Sequence, residues 1–173
     1  AQFLGPRSGG RMSGRGGGMM PLAFARDALP QAEWRGSWPE ALNGFVIDTR
    51  QVGAGDVFLA LAGERTDGHA FLAAAREAGA AGAIVSRFQD DRLPQVCVTD
   101  VQQALTDLAA AWRRQWSGRL LALTGSNGKT TVKEMLAAIA RQLGPVCVTE
   151  GNLNNHLGVP LTLLRLAADQ ELE

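Results

Sequence analysis

Apolar residues from position 45 onward fall in short runs divided by turn-forming residues, a rhythm that predicts alternating strands and helices. Residues 45–48 and 57–61 read as strands, separated by the turn-rich stretch Gln51-Val52-Gly53-Ala54-Gly55-Asp56. Residues 71–78 read as a helix that stops at Gly79, since glycine accepts the left-handed conformation that closes a helix. Residues 83–86 and 96–99 are compact β runs with Pro94 at the boundary. Asp100 is placed to cap a longer helix over 101–116, in which Val101, Leu105, Leu108, Trp112 and Trp116 recur every three or four positions and share one face. Strands and helices in this order predict a small α/β domain spanning 19–117, with Gly118 as a hinge.

A second unit, 118–173, repeats the rhythm. Residues 120–123 read as a strand, 129–143 as a helix broken by Gly144-Pro145, 146–148 as a strand, 150–155 as a polar loop and 161–168 as a helix. This βαβα order belongs to a doubly wound parallel sheet. Two strands of such a sheet cannot cover both of their faces, so the unit is expected to be the first part of a larger domain. Residues 1–18 are rich in Gly and Arg and have neither an acidic residue nor a periodicity. Burial there cannot offset the entropy of ordering, and the tail is expected to be disordered. It lacks the apolar core of a signal peptide, and its three arginines are too few for an RNA-binding tail. The Met19-Met20 pair suggests a start site.

Composition narrows the function classes. The 46% hydrophobic content supports a buried core, and the formal net charge of +0 gives no sign of a nucleic-acid surface or a polybasic membrane patch. No apolar run approaches the roughly 20 residues that span a bilayer. Cys97 and Cys147 each sit in a short apolar run, QVCVT and PVCVT, and read as buried strand thiols rather than a disulfide or metal pair. That usage fits a reducing cytoplasm. Lys129 and Lys133 are the only lysines among 17 basic residues.

One of those lysines stands where phosphate chemistry uses an ammonium. A strand, a glycine-containing turn and a helix N-terminus converge backbone N–H groups and the positive end of the helix dipole on an anion. Gly125 and Gly128 allow the turn and the close approach of the backbone. Lys129 is placed to reach the β- and γ-phosphates of ATP, and the hydroxyl of Thr130 or Thr131 to ligate Mg²⁺. Leu123 occupies the position of the first glycine of the general phosphate-loop pattern, so context rather than that pattern carries the reading. In the first domain, Asp48-Thr49-Arg50 at a strand end reads equally as a contact to a nucleotide or as a turn with a surface ion pair. Asp67-Gly68 reads as a turn and His69 as a helix-start residue.

The string Thr124-Gly125-Ser126-Asn127-Gly128-Lys129-Thr130-Thr131 resembles the ATP loop of the Mur ligases, which build the peptide stem of bacterial cell-wall precursors. Val132-Lys133-Glu134-Met135, the stretch Thr149-Glu150-Gly151-Asn152-Leu153-Asn154-Asn155, and Leu157-Gly158-Val159-Pro160 with Leu161-Thr162-Leu163-Leu164 are similar to the branch that adds D-Ala-D-Ala. Asp48-Thr49-Arg50, then Gly55 to Glu64, then Thr66-Asp67-Gly68-His69-Ala70-Phe71 resemble the N-terminal domain of the same family.

The resemblance implies an α/β substrate domain in which Asp48, Thr49, Arg50, Asp67, Gly68 and His69 bind the UDP end of UDP-MurNAc-tripeptide. It implies ATP bound by residues 124–131, Lys129, Asn154 and Asn155 as catalytic groups, and Mg²⁺ near Thr130, Thr131 and Glu150. For Asn154 and Asn155 an Asn-rich turn is the competing reading, and for Glu150 a surface carboxylate. His156 stands where many members carry an acidic residue, and its role is open. The implied chemistry is ligation through an acyl phosphate in the bacterial cytoplasm, with the D-Ala-D-Ala site outside this chain, which alone is expected not to turn over. Two alternatives stand beside it. One is a folylpolyglutamate-synthase-type ligase, disfavoured by Thr130-Thr131 and by the first domain. The other is a stand-alone module that binds a UDP-linked ligand and carries a vestigial phosphate loop.

Overall fold

The computed structural model describes residues 19–63, 66–115, 119–144, 146–149 and 157–166. The first part opens with elements too short to leave a periodic signature: β1 (Met20–Pro21), α1 (Leu22–Ala28), β2 (Glu33–Arg35) and β3 (Ala41–Leu42). It continues with β4 (Gly44–Val46), β5 (Asp56–Leu59), α2 (Leu72–Glu77), β6 (Gly82–Val85), β7 (Gln95–Cys97) and α3 (Val101–Gln115). Five strands form one sheet in the order β2-β7-β6-β5-β4, parallel throughout except for β2, which runs antiparallel along β7. β1 and β3 make a separate antiparallel pair, Met20 opposite Leu42.

The central strands are apolar on both faces because helices cover both. Along β4 to β7, alternate residues Phe45, Val57, Leu59, Ile84 and Val96 pack with α1 and α3 in the larger core. Their neighbours Phe58, Ala60, Ala83 and Val85 pack with Leu72 and Ala75 of α2 in a smaller one. The expected cap is present: the Asp100 carboxylate accepts from the N–H groups of Gln102 (2.8 Å) and Gln103 (3.1 Å). Gly79 ends the α2 segment at φ +95°. The expected helix over 71–78 starts differently, as a 3-10 turn over Gly68–Phe71 that passes into α2. The strand expected at 45–48 ends at Val46, because Asp48 leaves the sheet to cap a 3-10 turn over Thr49–Gln51.

The second unit departs further from the sequence reading. Its helix α4 (Lys129–Ala140) is present, but neither 120–123 nor 146–148 is a strand. A strand is defined by the ladder it shares, and among the described residues no segment pairs with either run. Leu120, Leu121 and Leu123 are accordingly exposed. The last helix, α5 (Gly158–Leu163), begins ahead of the expected 161–168 and lies against α3. Leu164 and Leu166 just beyond it are buried in the larger core of the first unit, and the Trp112 indole N–H donates to the Leu166 carbonyl at 2.8 Å. Residues 157–166, read as part of the second unit, thus complete the core of the first. Cys97 and Cys147 are half-buried rather than buried, and no disulfide joins them. The tail 1–18 and Trp116, Ser117 and Gly118 lie outside the described residues.

Candidate functional site

Two places assemble the predicted residues. The first is a cleft of about 560 Å³ above the β4–β5 edge of the sheet. Ile47, Phe58, Leu61 and Phe71 give it an apolar floor, Asp48, Thr49, Arg50 and Thr66 a polar rim, and Gly63 and Gly68 leave room between. Asp48 Oδ1 accepts from the backbone N–H of Arg50 at 3.0 Å. The Arg50 guanidinium turns back onto the same carboxylate, Nη2 to Oδ2 at 2.6 Å. That side-chain bond, followed by the backbone one, holds the Asp48 carboxyl below the usual carboxylate range. The structure shows the turn with its ion pair, and it also places this tripeptide in the lining of the cleft. The Arg50 side chain is 87% exposed, so its remaining donors face solvent and are available to an anion.

Across the cleft, residues 61–63 and 66–68 are tied together as a strap. Gly68 N–H donates to the Leu61 carbonyl (2.8 Å) and Gly63 N–H to that of Thr66 (2.9 Å). Asp67 anchors the strap from outside. Its Oδ1 accepts from the N–H of His69 (3.0 Å) and faces the ring Nδ1 at 2.6 Å, while Oδ2 meets Arg87 at 2.5 Å. His69 is buried, and its Nε2 accepts from the backbone N–H of Ser86 at 3.0 Å, which places the ring proton on Nδ1. Although the Ser86 hydroxyl lies 3.2 Å from Nε2, the lone pair is already committed to an amide, so these three residues are not arranged as a nucleophile and its base. Of the predicted substrate residues, then, Asp48, Thr49, Arg50 and Gly68 line the cleft, whereas Asp67 and His69 stand behind it.

The backbone and ring of His69, together with Arg87, push the Asp67 carboxyl far below its usual range. A carboxyl so depressed contributes stability that is complete above the unfolded-state value of about 3.9 and is lost as pH falls through the folded-state value. Asp67→Asn is expected to shrink the loss of stability between pH 6 and pH 3, as read by urea denaturation at both. An equal loss in variant and wild type would show that other carboxylates carry the acid sensitivity.

The second place is the loop ahead of α4. Residues 124–128 are exposed, with Gly125 at φ +148° and Gly128 at φ +76°, where it caps α4 in the left-handed region that favours glycine. Lys129 folds its ammonium back onto the carbonyls of Gly125 and Ser126. Thr130 and Thr131 occupy the first helical turn, whose N–H groups lack intrahelical acceptors, and no acidic residue stands in that turn to compete for an anion. Hydroxyl oxygens suit Mg²⁺, which keeps most of its ligands from water and phosphate, and no cluster of three His, Cys, Asp or Glu side chains is found among the described residues. Glu150, Asn154, Asn155 and His156 lie outside the described residues.

Sequence reasoning missed the floor of the cleft and the bond that Lys133 makes. Phe58 and Leu61 look like core residues in a buried strand, while Phe71, 39% exposed on a helix start, is the one local signal of a binding surface. Lys133 donates to the Thr149 carbonyl at 2.7 Å. Among the described residues no helix is long and apolar enough to cross a membrane.

Two family models match the chain: the Mur ligase middle domain over residues 123–172, and the Mur ligase family catalytic domain over residues 42–113. The chain is 49% identical, over 75% of its own length, to the UDP-N-acetylmuramoyl-tripeptide--D-alanyl-D-alanine ligase of Escherichia coli, and spans only 29% of that relative. It is similar to the solved structure of UDP-N-acetylmuramoylalanyl-D-glutamyl-2,6-diaminopimelate--D-alanyl-D-alanyl ligase from Acinetobacter baumannii, with a TM-score of 0.83 and 39% identity over 92% of this chain and 36% of that one. The MurF ligase of Thermotoga maritima in complex with ADP matches with a TM-score of 0.60 and 37% identity, covering 70% of this chain and 28% of its own.

Proposed function

The chain belongs to the Mur ligase family, and on that premise we propose that it supplies the UDP-substrate cleft and the ATP-phosphate loop of a ligase that joins D-Ala-D-Ala to UDP-MurNAc-tripeptide in the bacterial cytoplasm. The observation that carries this reading is the pairing, within one chain, of an apolar-floored cleft rimmed by Arg50 and a glycine-turned helix N-terminus bearing Lys129. A uridine ring suits the floor of Phe58, Leu61 and Phe71, and a diphosphate suits the exposed guanidinium.

In the proposed reaction an oxygen of the substrate's terminal carboxylate attacks the γ-phosphorus of ATP, and the bond to the bridging oxygen of ADP breaks. The amine of D-Ala-D-Ala then attacks the acyl phosphate carbon, and phosphate leaves as the amide forms. Negative charge gathers on the transferring oxygens in both steps. Lys129, once drawn off the loop carbonyls by a triphosphate, supplies a positive charge there, and the first-turn amides of α4 supply oriented donors. Mg²⁺ held by Thr130 or Thr131 would neutralise further charge on the phosphates. Asn154 and Asn155 are proposed to contact the phosphate or acyl oxygen, and Glu150 to assist the metal.

Calorimetric titration of the chain with UDP-MurNAc-tripeptide tests the cleft. Binding is expected, weakened about tenfold or more in Arg50→Ala, the scale of one lost charged hydrogen bond. A folded chain that binds no UDP-linked ligand would remove the cleft from the reading and leave the phosphate loop alone.

A further inference from the structure

Lys133 is poorly explained by the phosphate chemistry that accounts for Lys129. It sits one turn further along α4, on the same face. Its side chain is only 24% exposed, and its ammonium reaches across to the Thr149 carbonyl at 2.7 Å, with Glu134 at 3.3 Å balancing the charge. Burying most of a lysine is costly unless its donors are engaged, and here they are. The residue type is informative as well. Only two of the 17 basic residues are lysines, and both donate to backbone carbonyls, Lys129 to Gly125 and Ser126 within the loop and Lys133 to Thr149. A compact ammonium can seat on a single carbonyl, whereas the planar guanidinium fork is larger and is suited to bidentate acceptors.

The surroundings of α4 show why such a bond matters. Ala137 is the only buried residue of the helix, while Val132, Met135 and Ile139 are exposed, so apolar packing does little to fix its position. The helix nevertheless carries Lys129, Thr130 and the anion-directed amides, whose aim depends on where its N-terminus lies. From these observations we propose that Lys133 is a positioning residue: by bonding Thr149, it pins residues 146–149 to α4 and sets the placement of the phosphate loop. This inference rests on the reading of residues 124–131 as a triphosphate site.

The test uses the whole 173-residue chain, titrated separately with ATP, inorganic tripolyphosphate and UDP, in wild type, Lys133→Met and Lys133→Arg. Lys133→Met is expected to weaken ATP and tripolyphosphate by about tenfold, the order set by one charged hydrogen bond, and to leave UDP affinity unchanged. Lys133→Arg, which keeps the charge but not the compact donor, is expected to lose affinity for both phosphates by a smaller factor, again without change in UDP. Equal phosphate affinity in all three chains would overturn the proposal. So would a parallel loss of UDP and phosphate binding in Lys133→Arg, which would mark a general structural role. If Lys133→Met does not fold, Lys133→Arg decides by the same two readouts. A wild-type chain that binds UDP but neither phosphate ligand would instead overturn the triphosphate reading itself, and this inference with it.

Discussion

Trp112→Ala will cost about 3–5 kcal/mol of folding stability, as truncation of a buried tryptophan commonly does. Three features place it at the upper end. The side chain is 4% exposed, in the larger of the two cores. Its ring meets Phe24 edge-on, with centroids 5.0 Å apart and planes at 65°, a geometry that adds to area burial alone. Its indole N–H is the partner of the Leu166 carbonyl, which truncation leaves buried and unsatisfied. Trp112→Phe keeps most of the apolar contact but removes the donor, and should cost about 1–3 kcal/mol. Urea denaturation gives both values. Amide exchange across residues 157–166 separates the causes, because loss of the indole bond should loosen that segment before the sheet opens. A cost below about 1 kcal/mol for Trp112→Ala would mean that residues 157–166 do not seal this core.

That seal also shows where the sequence stopped being readable. The runs around β5, β6 and β7 and the 3.6-residue stripe of α3 announce themselves, because a strand buried on both faces must be apolar throughout and a helix on one face periodic. Asp100 was readable as a cap because capping is local. The stretch from Met20 to Leu42 was not, since strands of two or three residues have no period to detect. Trp38 lies across Gly82, so close that a β-carbon there would fall 2.3 Å from the ring, and nothing local to either residue forecasts that contact. Residues 120–123 and 146–148 fail in the opposite sense: their composition is that of strands, but a ladder needs a neighbour, and pairing is a long-range fact. The candidate site divides likewise. Glycine turns and Lys129 belong to a contiguous motif and were found, whereas the cleft floor joins Ile47, Phe58, Leu61 and Phe71 from separate elements. His69 was read as a substrate contact because it sits within the matching string, yet the fold spends both ring nitrogens on Asp67 and Ser86.

The strap that His69 and Asp67 secure leads to the second large effect. Gly68→Ala should both destabilise the chain and impair the cleft. A β-carbon at Gly68 would lie 2.7 Å from the backbone nitrogen and oxygen of Leu61 and 2.8 Å from the carbonyl carbon of Ala60. These are main-chain atoms of the strand end that forms the cleft floor, so no rotamer change relieves the clash. Either the strap lifts, breaking the Gly68 N–H bond to Leu61, or the end of β5 shifts. Overpacking of this kind costs about 1–3 kcal/mol even where side chains absorb part of it, and here the backbone must move. Leu61, Thr66 and Phe71 all belong to the displaced stretch or border it, so affinity for a UDP-linked ligand should fall by about tenfold or more, matching roughly 1.4 kcal/mol of misplaced contacts. Gly63→Ala, in the same cleft lining, is the milder comparison, because among the described residues its β-carbon would meet only the Thr66 carbonyl at 3.3 Å, a spacing that a small adjustment of the strap relieves. Denaturation and UDP titration of both variants decide the matter. If Gly68→Ala bound UDP as the wild type does while losing stability, the strap would be a structural closure of the sheet edge. Substrate recognition would then rest on the Asp48-Thr49-Arg50 rim alone.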